Sequence, residues 1–362
     1  MRYNDIRKKT RKIRIGNISI GGDSPVAIQS MTNTDTHDKA ATLRQIRALE
    51  TAGCDVVRIT VPDLEAADTI PYLKENGVRI PIVADIHFDY RVALRSAEVG
   101  VDKIRINPGN IGDEENVRAV CEACNKRNIP IRIGVNGGSL EKHILAKHGA
   151  PTPEALCESA MYHVSLLEKY GFYNTVISMK VSDPYKMIVA NRMLSERCDY
   201  PLHLGVTEAG GRERGIVKSA VGIGSLLCDG IGDTVRVSLT DDPVEEINAA
   251  RRIFDALNIE GQSGLDVISC PTCGRTKIDL IPIVAEFEKT AEREGLLRLP
   301  LKVAIMGCVV NGPGEAREAD IGVAGGKGEA VLIKKGEIIR KIPEDDIVST
   351  LIFEIKKMTE QK

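Results

Sequence analysis

Up to about residue 260 two patterns alternate along the chain. Short runs rich in Val, Ile and Thr, with polar residues at alternate positions, take turns with longer stretches whose apolar residues recur at three- and four-residue spacing. The first pattern predicts strands and the second amphipathic helices. Eight strands are expected, at Val26–Met31, Asp55–Val61, Ile80–His87, Lys103–Asn107, Ile129–Asn136, Thr175–Val181, Leu202–Thr207 and Thr234–Leu239. Helical stretches lie between most of them, among them Lys39–Thr51, Asp63–Glu75, Glu114–Arg127, Pro153–Tyr170 and Asp183–Arg197. Pro71 falls inside the second of these and predicts a break or kink there. Eight strands, most followed by a helix, predict an α/β fold of the (β/α)8 TIM-barrel type. A doubly wound open sheet is the alternative. It usually has fewer strands, and no G-x-G-x-x-G turn follows the first strand here.

The texture changes at Asn258–Gly264 (NIEGQSG), a polar, Gly-containing linker. Beyond it come Leu265–Cys273, a helix expected over Ile278–Glu294 and an apolar strand over Leu301–Gly307. A Gly-rich loop, short strands near Ile321–Val323, Ala330–Ile333 and Glu337–Ile342, and a closing helix over Asp345–Lys357 follow. The expected organisation is a barrel over residues 1–260 and a small α+β domain over 265–362, which suits a length of 362 residues.

Composition adds exclusions. A net charge of −2 gives no global attraction to nucleic acid or to an anionic membrane. The absence of Trp and an aromatic content of 4% leave little for base stacking. The basic N-terminus lacks the apolar run of a signal peptide, and no stretch approaches the ~20 apolar residues of a membrane span. A cytoplasmic protein is therefore expected. Its nine cysteines then read as thiols, metal ligands or catalytic groups rather than disulfides.

Four strands carry almost one phrase: VRIT at Val57–Thr60, IRIN at Ile104–Asn107, IRIG at Ile131–Gly134 and VRVS at Val235–Ser238. Residues i and i+2 of a strand share a face. Arg58 thus shares a face with Thr60, Arg105 with Asn107, Arg132 with Asn136, and Arg236 with Ser238. Asp85 pairs in the same way with His87, and Ser178 with Lys180. In a barrel this polar face is the interior, where a guanidinium is costly unless an anion meets it. Five cations from five strands converge, with Asp85 and Glu208 as the evident carboxylates. The excess asks for an anionic ligand, and a diphosphate and a sugar phosphate satisfy it equally. Glu208, in the Gly-flexible segment Gly205–Gly211, is a candidate proton donor or acceptor.

The tail offers a second chemistry. Cys270-Pro-Thr-Cys273-Gly sets two thiols at metal-binding spacing, and Cys308 follows in Gly307-Cys308-Val309-Val310-Asn311-Gly312-Pro313-Gly314-Glu315. A zinc ribbon, a redox dithiol and a [4Fe–4S] cluster all fit these spacings. The zinc reading lacks a second knuckle, since all six histidines precede Cys270. A dithiol has no use for Cys308. A cluster held by three thiolates has one iron left over, and Glu315 is a nearby carboxylate for it. Cys121 and Cys124 form another Cys-x2-Cys, but they lie on the apolar stripe of a predicted helix. They read as buried thiols, as do the remaining barrel cysteines.

These motifs, together with Ile28-Gln29-Ser30-Met31 and Val206-Thr207-Glu208-Ala209-Gly210, resemble the bacterial 4-hydroxy-3-methylbut-2-enyl diphosphate synthases of the methylerythritol phosphate pathway, in their short two-domain form. The resemblance spans essentially the whole chain. It implies reductive ring opening and dehydration of 2-C-methyl-D-erythritol 2,4-cyclodiphosphate, with two electrons from flavodoxin or ferredoxin. It implies a [4Fe–4S] cluster on Cys270, Cys273, Cys308 and Glu315. Substrate residues carried over are Gln29, Ser30, Met31, Arg58, Thr60, Asp85, His87, Arg105, Asn107, Arg132, Asn136, Lys180, Thr207, Glu208, Arg236 and Ser238. It further implies a homodimer in which the cluster domain of one subunit closes over the barrel mouth of the other.

Overall fold

The computed structural model describes residues 3–259, 264–310, 314 and 316–360. It divides into two compact units, Met1–Leu257 and Asn258–Lys362.

The first unit opens with a short helix, α1 (Tyr3–Ile6), and an antiparallel hairpin of β1 (Ile13–Ile15) and β2 (Ile18–Ile20). The sequence reading omitted this hairpin, although Gly16-Asn17 is a two-residue turn signal and Gly16 takes φ +54°. Eight parallel strands follow: β3 (Ala27–Met31), β4 (Val56–Thr60), β5 (Ile82–Asp85), β6 (Lys103–Ile106), β7 (Ile131–Asn136), β8 (Thr175–Lys180), β9 (His203–Leu204) and β10 (Thr234–Val235). They pair in the order β8-β7-β6-β5-β4-β3-β10-β9. A parallel bridge between Ile177 and Leu202 joins β8 to β9 and closes the ring. Val57, Ile59, Ile104, Ile106, Ile131 and Ile133 face outward and are fully buried. The hairpin isoleucines pack with Ala27, Val56, Val83 and Val176 and form the floor of the barrel.

The helices of this unit are α2 (Lys39–Ala52), α3 (Leu64–Ala67), α4 (Thr69–Glu75), α5 (Tyr90–Glu98), α6 (Glu114–Arg127), α7 (Lys142–His148), α8 (Pro153–Lys169), α9 (Pro184–Arg197), α10 (Arg212–Cys228) and α11 (Pro243–Leu257). The helix expected over Asp63–Glu75 is two helices, and the break comes before Pro71 rather than at it. Proline cannot donate to the carbonyl four residues back and crowds it. That carbonyl belongs to Ala67, the last residue of α3. Two expected strands also shorten, since β9 and β10 hold their ladders for two residues each.

Six thiols of this unit were expected to be buried. Burial pushes Cys121 and Cys124, both inaccessible, up to about 12, so they are inert thiols. Cys54 and Cys157 are buried as well. Cys228 is a correction: it ends α10 and is exposed, and Cys198 is only partly covered.

The second unit is a five-stranded mixed sheet of β11 (Asp266–Ser269), β12 (Lys302–Met306), β13 (Ile321–Gly326), β14 (Glu329–Lys334) and β15 (Glu337–Pro343), paired in that order. The first three strands are parallel and the last two pairings antiparallel. Helices α12 (Leu280–Arg293) and α13 (Ile347–Glu360) bury Ile283, Phe287, Leu351 and Ile355 against Val303, Ile305, Ile321 and Val323. Part of the expected linker, residues 260–263, lies outside the described residues. Among the described residues no helix is long and apolar enough to cross a membrane.

Candidate active site

Strand alternation turns the arginines of the repeated phrase into the barrel. Arg105 donates from Nη1 to Asp85 Oδ1 at 3.0 Å, and the same nitrogen lies 3.4 Å from His87 Nε2. Arg58 Nε lies 3.7 Å from the other Asp85 oxygen and 3.0 Å from Met31 Sδ. Arg236 also reaches Met31, and is held by Glu246 of α11 through Nε and Nη2, both at 3.1 Å. Ser30 faces outward at this point. Its hydroxyl donates to Glu246 at 2.9 Å, so Ser30 braces the carboxylate that braces Arg236.

Two glycines make room for these cations. A Cβ on Gly134 would lie 2.5 Å from Arg105 Nε, and one on Gly205 would lie 3.1 Å from Lys180 Nζ. Gly134→Ala is expected to push the Arg105 guanidinium off Asp85 and weaken binding of a phosphate-bearing anion about tenfold, with little change in melting temperature. Calorimetric titration checks this, and unchanged affinity would remove the cradle from the site.

The cations greatly outnumber their partners. Arg132 is 1% exposed, and none of its three guanidinium nitrogens has a partner among the described residues. Lys103 Nζ, Arg105 Nε, His203 Nε2 and both amide atoms of Gln29 are buried and unpartnered as well. The electrostatic consequences agree. Burial, then the neighbouring Arg132 and Arg58, drive Lys180 well below the usual lysine range. Burial pulls Arg58 down to about 10 despite Asp85. Burial would raise Asp85, but Arg58 and Arg105 outweigh it and hold the carboxyl below its ordinary value. A cage of desolvated cations with orphaned N–H groups is built for a multiply charged anion.

At the C-terminal ends of the strands, where barrel enzymes keep their chemistry, a cleft of ≈ 550 Å³ opens. Its lining includes Asn136, Lys180, Thr207 and Glu208. Glu208 is exposed and adopts φ +52°, a left-handed conformation that side chains other than glycine rarely take. Asn107 is buried, and its side chain accepts from Gly109 N–H in the loop after β6. Thr60 and Ser238 are half-buried near their strand ends, and His87 is exposed at the mouth.

Sequence reasoning missed three residues. Lys103 lies two positions before Arg105 on the same face, so the alternation that found Arg105 also contains it. His203, which pairs with Thr234 Oγ1 at 2.7 Å, obeys the same rule. Glu246 left no such trace, since it lies on a helix and reaches Arg236 only through the fold. It adds a carboxylate to the Asp85 and Glu208 read from the sequence.

In the second unit the three thiols stand at the same end of neighbouring parallel strands. Cys270 and Cys273 follow β11, and Cys308 follows β12. Gly307 N–H donates to the Cys270 sulfur at 3.2 Å, and Lys277 N–H to Gly307 O at 2.8 Å, which ties the two loops together. Hydrogen bonds from the Arg275 backbone and side chain lower the Cys273 thiol, favouring the thiolate that metals bind. The donor set suits an iron–sulfur group, although no three His, Cys, Asp or Glu side chains among the described residues are closed up as a metal site. Glu315 lies outside the described residues.

Comparison with known proteins decides the family. The GcpE TIM-barrel domain model matches residues 10–251, and the GcpE protein C-terminal domain model matches residues 266–357. The chain belongs to the GcpE family. Among its relatives, a 4-hydroxy-3-methylbut-2-en-1-yl diphosphate synthase (flavodoxin) from Caldanaerobacter subterraneus subsp. tengcongensis is 57% identical, covering 99% of both chains. One of the same name from Clostridium perfringens is 58% identical over 96% of this chain and 98% of its own. The Plasmodium falciparum HPPK-DHPS structure is 12% identical, with a TM-score of 0.50 over 78% of this chain and 53% of that one, and shares the fold alone. The GcpE barrel is thus the part of this chain that carries the cation cage, and the GcpE C-terminal domain carries the three thiols.

Proposed function

We infer that the chain catalyses the two-electron reductive ring opening and dehydration of 2-C-methyl-D-erythritol 2,4-cyclodiphosphate to 4-hydroxy-3-methylbut-2-enyl diphosphate. The observation that carries this reading is a cage of cations in excess of its carboxylates, with Arg132 buried and unpartnered among the described residues, in the barrel of a chain that matches the named synthases over its full length. Arg58, Arg105, Arg132, Lys180 and Arg236 neutralise the diphosphate and fix its position. Asp85 and Glu246 hold three of the five guanidinium and ammonium groups in place before the ligand arrives. One carbon–oxygen bond to the ring phosphate breaks, a hydroxyl leaves as water, and Glu208 at the cleft handles the proton for that departure.

A [4Fe–4S] cluster on Cys270, Cys273, Cys308 and Glu315 would supply the electrons one at a time from flavodoxin or ferredoxin. The hydrogen bond from Gly307 N–H to the Cys270 sulfur and the thiolate-favouring hydrogen bonds at Cys273 support this donor set. We place the enzyme in the cytoplasm as a homodimer, the cluster domain of one subunit facing the barrel of its partner, on the strength of the resemblance. Anaerobic turnover of the cyclodiphosphate with a chemical reductant tests the function. No turnover by protein containing iron and sulfide would reject it. Cys308→Ser is expected to abolish the broad visible absorption of anaerobically purified protein, and an unaltered spectrum removes Cys308 from the ligand set.

A further inference from the structure

Inside the barrel, six cationic side chains of the described residues, Arg58, Lys103, Arg105, Arg132, Lys180 and Arg236, face two carboxylates, Asp85 and Glu246. A cyclic diphosphate brings one negative charge on each phosphate. Before it binds, the cage would carry an excess of four positive charges if every cation were protonated, and the ligand halves that excess. Arginine does not release its proton in proteins, so the adjustment falls to the lysines.

Lys180 lines the cleft, where a bound anion would meet it directly. Lys103 is different. It sits on β6 beside Val83, and Val83 packs against the hairpin that floors the barrel. Lys103 is 0% exposed, and its Nζ has no hydrogen-bonding partner among the described residues. Among the described residues, the charged and titratable groups that share the barrel interior with it are Arg58 of β4, Asp85 of β5, Arg105 of its own strand, Arg132 of β7, Lys180 of β8 and His203 of β9. Arg236 beyond β10 and Glu246 of α11 are further charged groups of the cage. The two arginines that act on it most, Arg132 and Arg58, oppose its charge.

We propose that Lys103 is a further residue of the diphosphate site: a charge-compensating amine at the barrel floor, neutral in the ligand-free protein, that takes a proton from solvent when the diphosphate enters above it. The step balances simply. The nitrogen lone pair accepts one solvent proton, and the anion's field makes the resulting ammonium favourable. Burial, followed by repulsion from Arg132 and Arg58, moves Lys103 far below the usual lysine range, consistent with a neutral amine before binding. The inference rests on the diphosphate reading of the site given above.

The test is calorimetric titration of the anaerobic holoenzyme with 2-C-methyl-D-erythritol 2,4-cyclodiphosphate. It is run without reductant at pH 8, in two buffers of different ionisation enthalpy. This ligand has no proton of its own to lose near that pH, so proton uptake belongs to the protein. Wild type should take up protons on binding. Lys103→Met should take up about one fewer and bind about tenfold more weakly. It should also melt a few degrees higher when ligand-free, because an apolar side chain replaces an unpaired buried amine. Lys103→Gln serves if the Met variant does not fold, and Lys126→Met, on the exposed face of α6, is the charge control. Unchanged uptake and affinity in the Lys103 variants would overturn the role of Lys103 while leaving the diphosphate site standing. Failure of wild type to bind the cyclodiphosphate would instead overturn the site, and Lys103 with it.

Discussion

Glu208→Gln is expected to lower turnover of the cyclodiphosphate by about 10²–10⁴-fold, the range that a positioned acid–base group supplies. The visible spectrum and the dissociation constant of the cyclodiphosphate should stay near wild type. The reason is the position of the side chain. Glu208 follows β9, lines the cleft beside Lys180 and Thr207, and takes no part in the ion pairs that hold the cage. Its backbone makes a second prediction possible. At φ +52° a glutamate costs about 1–2 kcal/mol that glycine does not. Glu208→Gly should therefore be more stable than wild type and yet as slow as the Gln variant. A stabilised variant that has lost turnover is the mark of a residue held in strain for its chemistry. Turnover near wild type in both variants would take Glu208 out of the reaction.

How far the site could be read in the sequence depended on which physical rule carried each residue. The two-residue period of a strand is rigid, so the four repeated phrases placed Arg58, Arg105, Arg132 and Arg236 on one face without any structure. The same rule contains Lys103 and His203. Lys103 falls just before its phrase, His203 lies on a strand that carries none, and the barrel's need for neutrality on its floor is not a local property. Glu246 was illegible for a different reason. It lies ten residues beyond Arg236 on α11, and only the packing of that helix against β3 brings its carboxylate to Ser30 Oγ and the Arg236 guanidinium. Ser30, carried over from the resemblance together with Gln29 and Met31, has the opposite parity to both, and its hydroxyl meets Glu246. The break between α3 and α4 came from Pro71 acting on a carbonyl four residues away. Local pattern recorded the cause but put the effect at the wrong residue.

Asp85→Asn should cost the barrel about 3–5 kcal/mol, the usual consequence of removing one member of a buried ionic group. For a unit of this size that is a fall in melting temperature on the order of 10 °C. Asp85 is 3% exposed and is the carboxylate shared by Arg58 and Arg105, so the variant leaves two guanidinium groups facing Arg132 with no counter-charge. The effect also has a pH signature. The folded carboxyl sits below its ordinary value, so its stabilisation is complete above the unfolded value, about 3.9. It is lost as pH falls through the folded value. The wild-type barrel should thus lose stability in acid more steeply than the Asn variant, whose stability has no such dependence to lose. Inorganic diphosphate separates charge from shape, since it carries the anion without the sugar-derived hydroxyls. If Asp85 is the resident counter-charge of the cage, an added anion should raise the melting temperature of Asp85→Asn more than that of wild type, because it meets cations that nothing else neutralises. Equal rises in the two proteins would mean that Asp85 shapes the pocket without balancing its charge. An Asp85→Asn protein as stable as wild type would mean that the guanidinium groups find neutralisation without it.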